Sequence, residues 1–241
     1  MNIEVRNLVK NFQREQVIRD VSFTIASGEM TCLLGPSGSG KTTLIRLLIG
    51  AIVPEAGTIK IGGEWVPQLK LLKKIGFMPQ ADALYDDLSG EDNLKFFAEL
   101  YGLKKEAISQ RCQELLTLLD LVKDRKKLVR NYSGGMKKRL SLGIALIHQP
   151  DILLLDEPTV GIDPVLRRSI WRELQTLGAQ GKTILVSTHV MDEVEQCEKV
   201  ALLYKGKLIE HDFVSSVLSK TQGRVEDLFF QAVEQDGGDL L

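Results

Sequence analysis

Apolar positions along the chain fall into three regimes. Ile3 and Val5, and then Val21, Phe23 and Ile25, alternate with polar neighbours, and Gly57–Ile61 reads in the same way. Alternation places every second side chain on one face of a strand, so these segments predict an antiparallel edge sheet. From Met30 onward short unbroken apolar runs take over: TCLLG, KIGFMPQ, ILLLDEP, TILVSTH and KVALLYKGKLIEH. Such runs suit parallel strands covered on both faces. Between Asp82 and Asn131 the spacing turns helical, with Leu94, Phe97 and Leu100 in one stretch and Leu115, Leu118, Leu119 and Val122 in another. The pattern therefore predicts an α/β core that starts at Met30 and returns near residue 150, with a helical lobe over about 82–140 inserted into it. Arg224–Gln235 predicts an amphipathic helix carrying Leu228, Phe229 and Val233, packed on the core.

Chemistry enters where the runs end. Met30–Leu34 leads into GPSGSGKT, Gly35–Thr42, and a helical pattern through Leu44, Leu47 and Leu48 follows. This matches G-x-x-x-x-G-K-[ST] between a strand and a helix, the context in which the motif binds a nucleotide triphosphate. Glycines let the loop curl and aim its N–H groups at phosphate oxygens, and the helix N-terminus adds partial positive charge. Lys41 is expected to reach the β- and γ-phosphates, and the Thr42 hydroxyl to ligate Mg²⁺. The ATP-binding set is Gly35, Pro36, Ser37, Gly38, Ser39, Gly40, Lys41, Thr42 and Thr43.

The run Ile152–Leu155 ends in Asp156 and Glu157. Ligands of open α/β sheets collect beyond the carboxyl ends of the strands. Asp156 is placed to hold Mg²⁺ through water, and Glu157 to polarise the water that attacks the γ-phosphate.

The phosphate loop, YSGGM at Tyr132–Met136, ILLLDEP, GID at Gly161–Asp163 and ILVSTH at Ile184–His189 follow one another in the order seen in ABC-type ATPases. The chain resembles the nucleotide-binding domain of an ABC transporter over about residues 2–215, with 216–241 as a short helical tail. That resemblance implies a P-loop NTPase (RecA-like) core with an antiparallel β edge subdomain and an inserted α-helical subdomain. It implies that Phe12 stacks on adenine and that Gln80 senses Mg²⁺ and the attacking water at the hinge of the helical lobe. It implies that Ser133, Gly134 and Gly135 contact the γ-phosphate held by a second subunit, that Asp163 crosses the dimer interface, and that His189 contacts the γ-phosphate and orients Glu157. Most members carry Gln where Met136 stands and Leu where Tyr132 stands; Met cannot supply the hydrogen bonds of an amide. YSGGM followed by Lys137-Lys138-Arg139, and TVGIDPVLR at Thr159–Arg167, are similar to the branch that exports drugs, antibiotics, lipids or polysaccharides.

Composition narrows the alternatives. With 241 residues, 44% of them hydrophobic, the chain can form one large domain. A net charge of −1 argues against a dedicated nucleic-acid binder. Cys32, Cys112 and Cys197 show no metal spacing and suit a reducing cytoplasm. The N-terminal segment lacks a signal-peptide stretch, and no apolar run approaches the ~18 residues of a membrane span. The resemblance then implies an integral membrane permease subunit in trans, a second ATPase subunit as a homodimer, ATP with Mg²⁺ as cofactors, and a cytoplasmic location on the inner face of the cell membrane. The alternative is a soluble ABC ATPase acting on nucleic acid or the ribosome. Coiled-coil heptads or a second ATPase unit would mark it, and neither is visible.

Several residues stay outside that assignment. Leu84, Tyr85 and Leu88 form either a docking groove for a cytoplasmic helix of the membrane partner or a local cluster that seats the helical lobe. His148 and His211 read as surface or loop histidines, and Trp65 and Trp171 as packing residues. Lys73-Lys74 and Arg125-Lys126-Lys127 read as solvated faces. The basic run 137–139 is a weak pointer to nucleic acid.

Overall fold

Along the chain the elements are β1 (Ile3–Phe12), β2 (Glu15–Ile25), β3 (Met30–Leu34), α1 (Lys41–Leu48), β4 (Ala56–Ile61), β5 (Glu64–Trp65), α2 (Leu69–Leu72), β6 (Ile75–Met78), α3 (Gly90–Leu100), α4 (Lys105–Leu118), α5 (Gly134–Leu146), β7 (Ile152–Asp156), α6 (Pro164–Ala179), β8 (Thr183–Thr188), β9 (Lys199–Tyr204), β10 (Lys207–Phe213), α7 (Val214–Lys220) and α8 (Glu226–Gln235). The computed structural model describes residues 1–13, 15–81, 83–221 and 224–235. Asp82, residues 236–241 and the side chain of Val233 lie outside the described residues.

The alternating segments form the edge sheet, in the order β2-β1-β4-β5, with Ile3 opposite Ile25 and Val5 opposite Phe23. The apolar runs form a six-stranded sheet in the order β10-β9-β3-β8-β7-β6. Strands β6, β7, β8, β3 and β9 pair in parallel, and β10 returns antiparallel to β9. Successive side chains of a strand face opposite sides, and the core divides accordingly. Cys32 and Leu34 of β3, Leu153 and Leu155 of β7, and Ile184 and Val186 of β8 pack with the lobe helices and α6. Leu33, Ile152, Leu154 and Leu185 pack with α1 and the edge sheet. Every residue of β3, β7 and β8 is buried, which is why those strands read as unbroken apolar runs.

Some expectations change. KVALLYKGKLIEH forms two strands rather than one, turning at Lys205 and Gly206, both at positive φ. Leu100 on α3, and Leu118 and Val122 near the end of α4, are exposed, while Leu94, Leu115 and Leu119 are buried. The lobe helices bury one stripe each; Leu100 and Leu118 fall outside it, and Val122 lies in the turn beyond α4. Trp65 is 52% exposed, because β5 is a two-residue sheet edge; the Lys60 ammonium lies 4.1 Å from its ring centroid. Trp171 is buried. His148 is half-buried, stacked on Tyr101 at 3.7 Å and 8° and hydrogen-bonded to the Ile75 carbonyl at 3.1 Å. His211 is also half-buried, edge-on to Phe23 at 5.8 Å. On α8, Leu228 is buried and Phe229 meets Tyr204 at 6.4 Å.

Two features fix the lobe. Tyr132 is buried rather than solvent-facing, and its hydroxyl donates to the Asp124 carbonyl at 3.0 Å. Its phenol covers Gly90, the first residue of α3, so closely that a Cβ there would collide with the hydroxyl oxygen. The basic run at the start of α5 turns back onto the protein. Lys137 pairs with Asp86 at 2.8 Å, Lys138 donates to the Gln80 carbonyl, and Arg139 donates to the carbonyls of Leu119 and Asp120.

Candidate active site

Four parallel strands deliver the site residues to one rim of the sheet. β3 feeds the glycine loop, β6 precedes Gln80, β7 ends at Asp156 and Glu157, and β8 precedes His189. The loop closes onto α1 through Gly40, which caps the helix in the left-handed region at φ 108° without a side-chain cap bond. The first N–H groups of a helix have no intrahelical acceptor, and here they open toward a cleft of 230 Å³. Its lining is Val17, Ser37, Gly38, Gly40, Lys41, Thr42, Thr43, Gln80 and Glu157.

Lys41 is only 6% exposed. Its Nζ donates to the carbonyls of Gly35 at 2.7 Å and Pro36 at 3.1 Å and lies 3.9 Å from Glu157 Oε1. Burial pushes its pKa below the ordinary lysine value, opposed by the charges of Glu157 and Asp156. Ser39 Oγ is buried against Gly35, outside the lining of the cleft, and has no hydrogen-bond partner among the described residues.

Asp156 is buried at the end of β7, where Ser187 Oγ donates to its Oδ1 at 2.5 Å. Glu157 follows with φ 52°, a left-handed conformation uncommon for a residue with a side chain. Its N–H is held by Ser187, through Oγ at 3.1 Å and the carbonyl at 3.2 Å. The backbone turn aims the carboxylate back over the strand ends. Gln80 Nε2 donates to Oε2 at 3.0 Å, and His189 Nδ1 meets Oε1 at 3.0 Å. The pattern assembles a carboxylate gripped from two sides at the mouth of the phosphate-loop cleft.

Other anticipated residues lie elsewhere. Ser133 caps α5, accepting from Met136 N–H at 3.2 Å, and Gly134 and Gly135 border open space. Asp163 caps α6, accepting from the N–H groups of Val165 and Leu166 at 3.1 Å each. None of these lines the cleft. The side chain of Met136 is partly buried and packs against the apolar core beneath α5. Phe12 is 45% exposed on the β1–β2 hairpin, with the Lys10 ammonium 5.3 Å from its ring; it is not among the lining residues, whereas Val17 of β2 is. Sequence reasoning missed Val17 and Ser187. Only strand pairing brings them to the site, so no local pattern could have marked them.

A family model described as "ABC transporter" matches residues 18–160. The chain belongs to the ABC transporter family. Its site is that of an ABC ATP-binding domain, in a family that binds ATP with Mg²⁺ and hydrolyses ATP. Among curated relatives, the Nod factor export ATP-binding protein I of Burkholderia lata is 40% identical over 210 residues, covering 86% of this chain and 69% of the relative. The linearmycin resistance ATP-binding protein LnrL of Bacillus subtilis is 34% identical over 224 residues, covering 92% and 72%. ABC transporter G family member 20 of Dictyostelium discoideum is 35% identical over 99% of this chain, which spans 33% of that longer protein. Among solved structures, an ATP-binding subunit of an ABC transporter superposes with a TM-score of 0.87 at 26% identity, covering 96% of this chain and 99% of that one. A dimeric ATP-binding cassette in a post-hydrolysis state with ADP and Pi gives a TM-score of 0.83 at 25% identity, covering 88% and 98%. The P-loop NTPase fold anticipated from the sequence is the fold these structures share. Among the described residues no helix of this ABC protein is long and apolar enough to cross a membrane.

Proposed function

We propose that this chain is the ATPase subunit of an exporter, working on a separate membrane permease as one half of a head-to-tail ATPase dimer. The observation that carries the reading is the Glu157 carboxylate, held at 3.0 Å by both Gln80 and His189 beside the phosphate loop. Glu157 accepts a proton from the attacking water, and His189 and Lys41 stabilise charge on the γ-phosphate. Thr42, Gln80 and Asp156 would hold Mg²⁺, Asp156 through water; the bound ion supplies charge neutralisation at the phosphates. Among the described residues no three His, Cys, Asp or Glu side chains gather to hold a metal. That suits an ion held chiefly by phosphate oxygens and water.

Residues 2–215 form the ATPase unit, and 216–241 a tail. Ser133, Gly134 and Gly135 lie outside their own chain's cleft, which supports their use on a partner's γ-phosphate, with Asp163 between the subunits. ATP then bridges two copies and hydrolysis removes the bridge. The name of the Burkholderia lata relative, an export ATP-binding protein, supports export, and membership of a transporter family supports a permease that holds the subunit at the membrane. Tyr85 is 49% exposed and packs edge-on against the exposed Phe96 at 4.8 Å, so the segment Leu84–Leu88 supports a docking surface for the permease. Affinity purification from detergent-solubilised membranes tests the reading. An integral membrane protein should co-purify with wild type and less with Tyr85→Ala; purification of the ATPase alone would refute it.

A further inference from the structure

Glu193 is 3% exposed, on a 3-10 turn at Met191–Gln196 that follows His189. A carboxylate so buried needs strong partners. It has two: Thr159 Oγ1 donates to Oε1 and Thr188 Oγ1 to Oε2, each at 2.6 Å. Both threonines are themselves buried. Their positions in the chain are what matter. Thr159 stands two residues after Glu157, and Thr188 immediately before His189. Thr188 Oγ1 also accepts from the Val190 N–H at 3.0 Å, so the hydroxyl is tied to both flanks of His189.

The His189 side chain is 42% exposed and has one hydrogen-bond partner among the described residues, Glu157. An imidazole in that setting keeps its aim only if its backbone is fixed. A third group converges on the same carboxylate. Arg167 Nε, from the first turns of α6, is buried without a hydrogen-bond partner and lies 3.8 Å from Glu193 Oε1. Asp163, the residue proposed to face the partner subunit, caps that same helix.

We infer that Glu193 is a positioning residue that clamps the loops behind Glu157 and His189, so that the two stay in contact, and that links them through Arg167 to the partner-facing end of α6. The inference rests on the proposed roles of Glu157 and His189. Thr159 and Thr188 both point their hydroxyls inward at the carboxylate, and O–H···O bonds of 2.6 Å to a carboxylate are short and strong. A glutamine presents an NH₂ to one of the hydroxyls and forces it to turn away.

The test uses the full chain with Thr159→Val, which removes one bond at nearly constant volume and leaves Glu193 held by Thr188, and Glu193→Gln. Steady-state hydrolysis and MgATP binding are measured on each, beside Glu157→Gln. The expected result is kcat lower by roughly 10- to 100-fold, as a shift of about 1 Å in a reacting group produces, with KM and MgATP affinity unchanged. The two changes combined should cost no more than the larger alone, since they break one device. If Thr159→Val and Glu193→Gln both keep the wild-type kcat while Glu157→Gln is inactive, the clamp is refuted and the catalytic reading stands. Equal losses in nucleotide binding and kcat also refute the clamp. A fully active Glu157→Gln refutes the catalytic reading itself.

Discussion

The phenol of Tyr132 fills the space that a side chain at position 90 would need. The departure from the family's usual Leu at 132 is therefore matched by a glycine at the start of α3, and the pair forms one packing unit between the lobe and α5. Gly90→Ala should destabilise the fold by about 1–3 kcal/mol, the range for forcing an extra methyl into a packed site. Tyr132→Phe should cost about 1 kcal/mol by losing the bond to Asp124. Combining Gly90→Ala with Tyr132→Leu should recover much of the first loss. Urea unfolding midpoints of the four proteins check this; an alanine tolerated beside the intact tyrosine would refute the collision.

The contrast shows what the sequence could carry. Gly35–Thr42 and Asp156-Glu157 were legible because each places its chemistry in contiguous residues behind a strand. The core strands were legible because β3, β7 and β8 are buried on both faces and so read as short apolar runs. Ser187 and Glu193 were not legible. Their bonds to Asp156 and Thr159 span 31 and 34 residues and exist only because β7 lies beside β8. The same holds for the basic run on α5, whose Lys137 and Lys138 find partners 51 and 58 residues away. Trp65 was misjudged as a packing residue because burial depends on which element covers a residue, not on its neighbours in the chain.

Glu157→Gln removes the carboxylate proposed to accept the proton and keeps the volume. Hydrolysis should fall by about 10²–10⁴-fold while MgATP still binds. ATP should then accumulate as a bridge, so size-exclusion chromatography in excess ATP should show a dimer. A persistent monomer would count against ATP-driven pairing.

Ser133→Arg should leave nucleotide binding intact, because Ser133 lies outside the cleft of its own chain, and should abolish hydrolysis. Mixed with Glu157→Gln, it should partly regain activity. In a mixed dimer one composite site joins the phosphate loop and unmutated Glu157 of one chain to the unmutated Ser133–Gly135 of the other. A mixture as inactive as its components would reject independent shared sites.

Burial drives the pKa of His148 down to about 4, against a weaker opposing effect of its bond to the Ile75 carbonyl. The fold thus favours the neutral ring. The unfolded chain takes up a proton near the ordinary value of about 6.5, so unfolding binds protons between those pH values. Stability from this site is complete above about pH 6.5 and declines as the pH falls toward 4. Denaturant midpoints should drop between pH 7 and 5, and less so for His148→Phe, which retains an aromatic ring over Tyr101. Equal pH slopes for the two proteins would exclude His148 as the source.

Lys138 reaches Gln80 through the backbone carbonyl and not through the amide side chain that touches Glu157. Position 80 therefore carries two separable attachments, one genetic and one not. Any residue placed there presents the same carbonyl to the α5 ammonium, whereas only particular side chains can serve the carboxylate. Selection can retune the chemistry at 80 without cutting the tether between the segment that carries Gln80 and the helix that Ser133 begins.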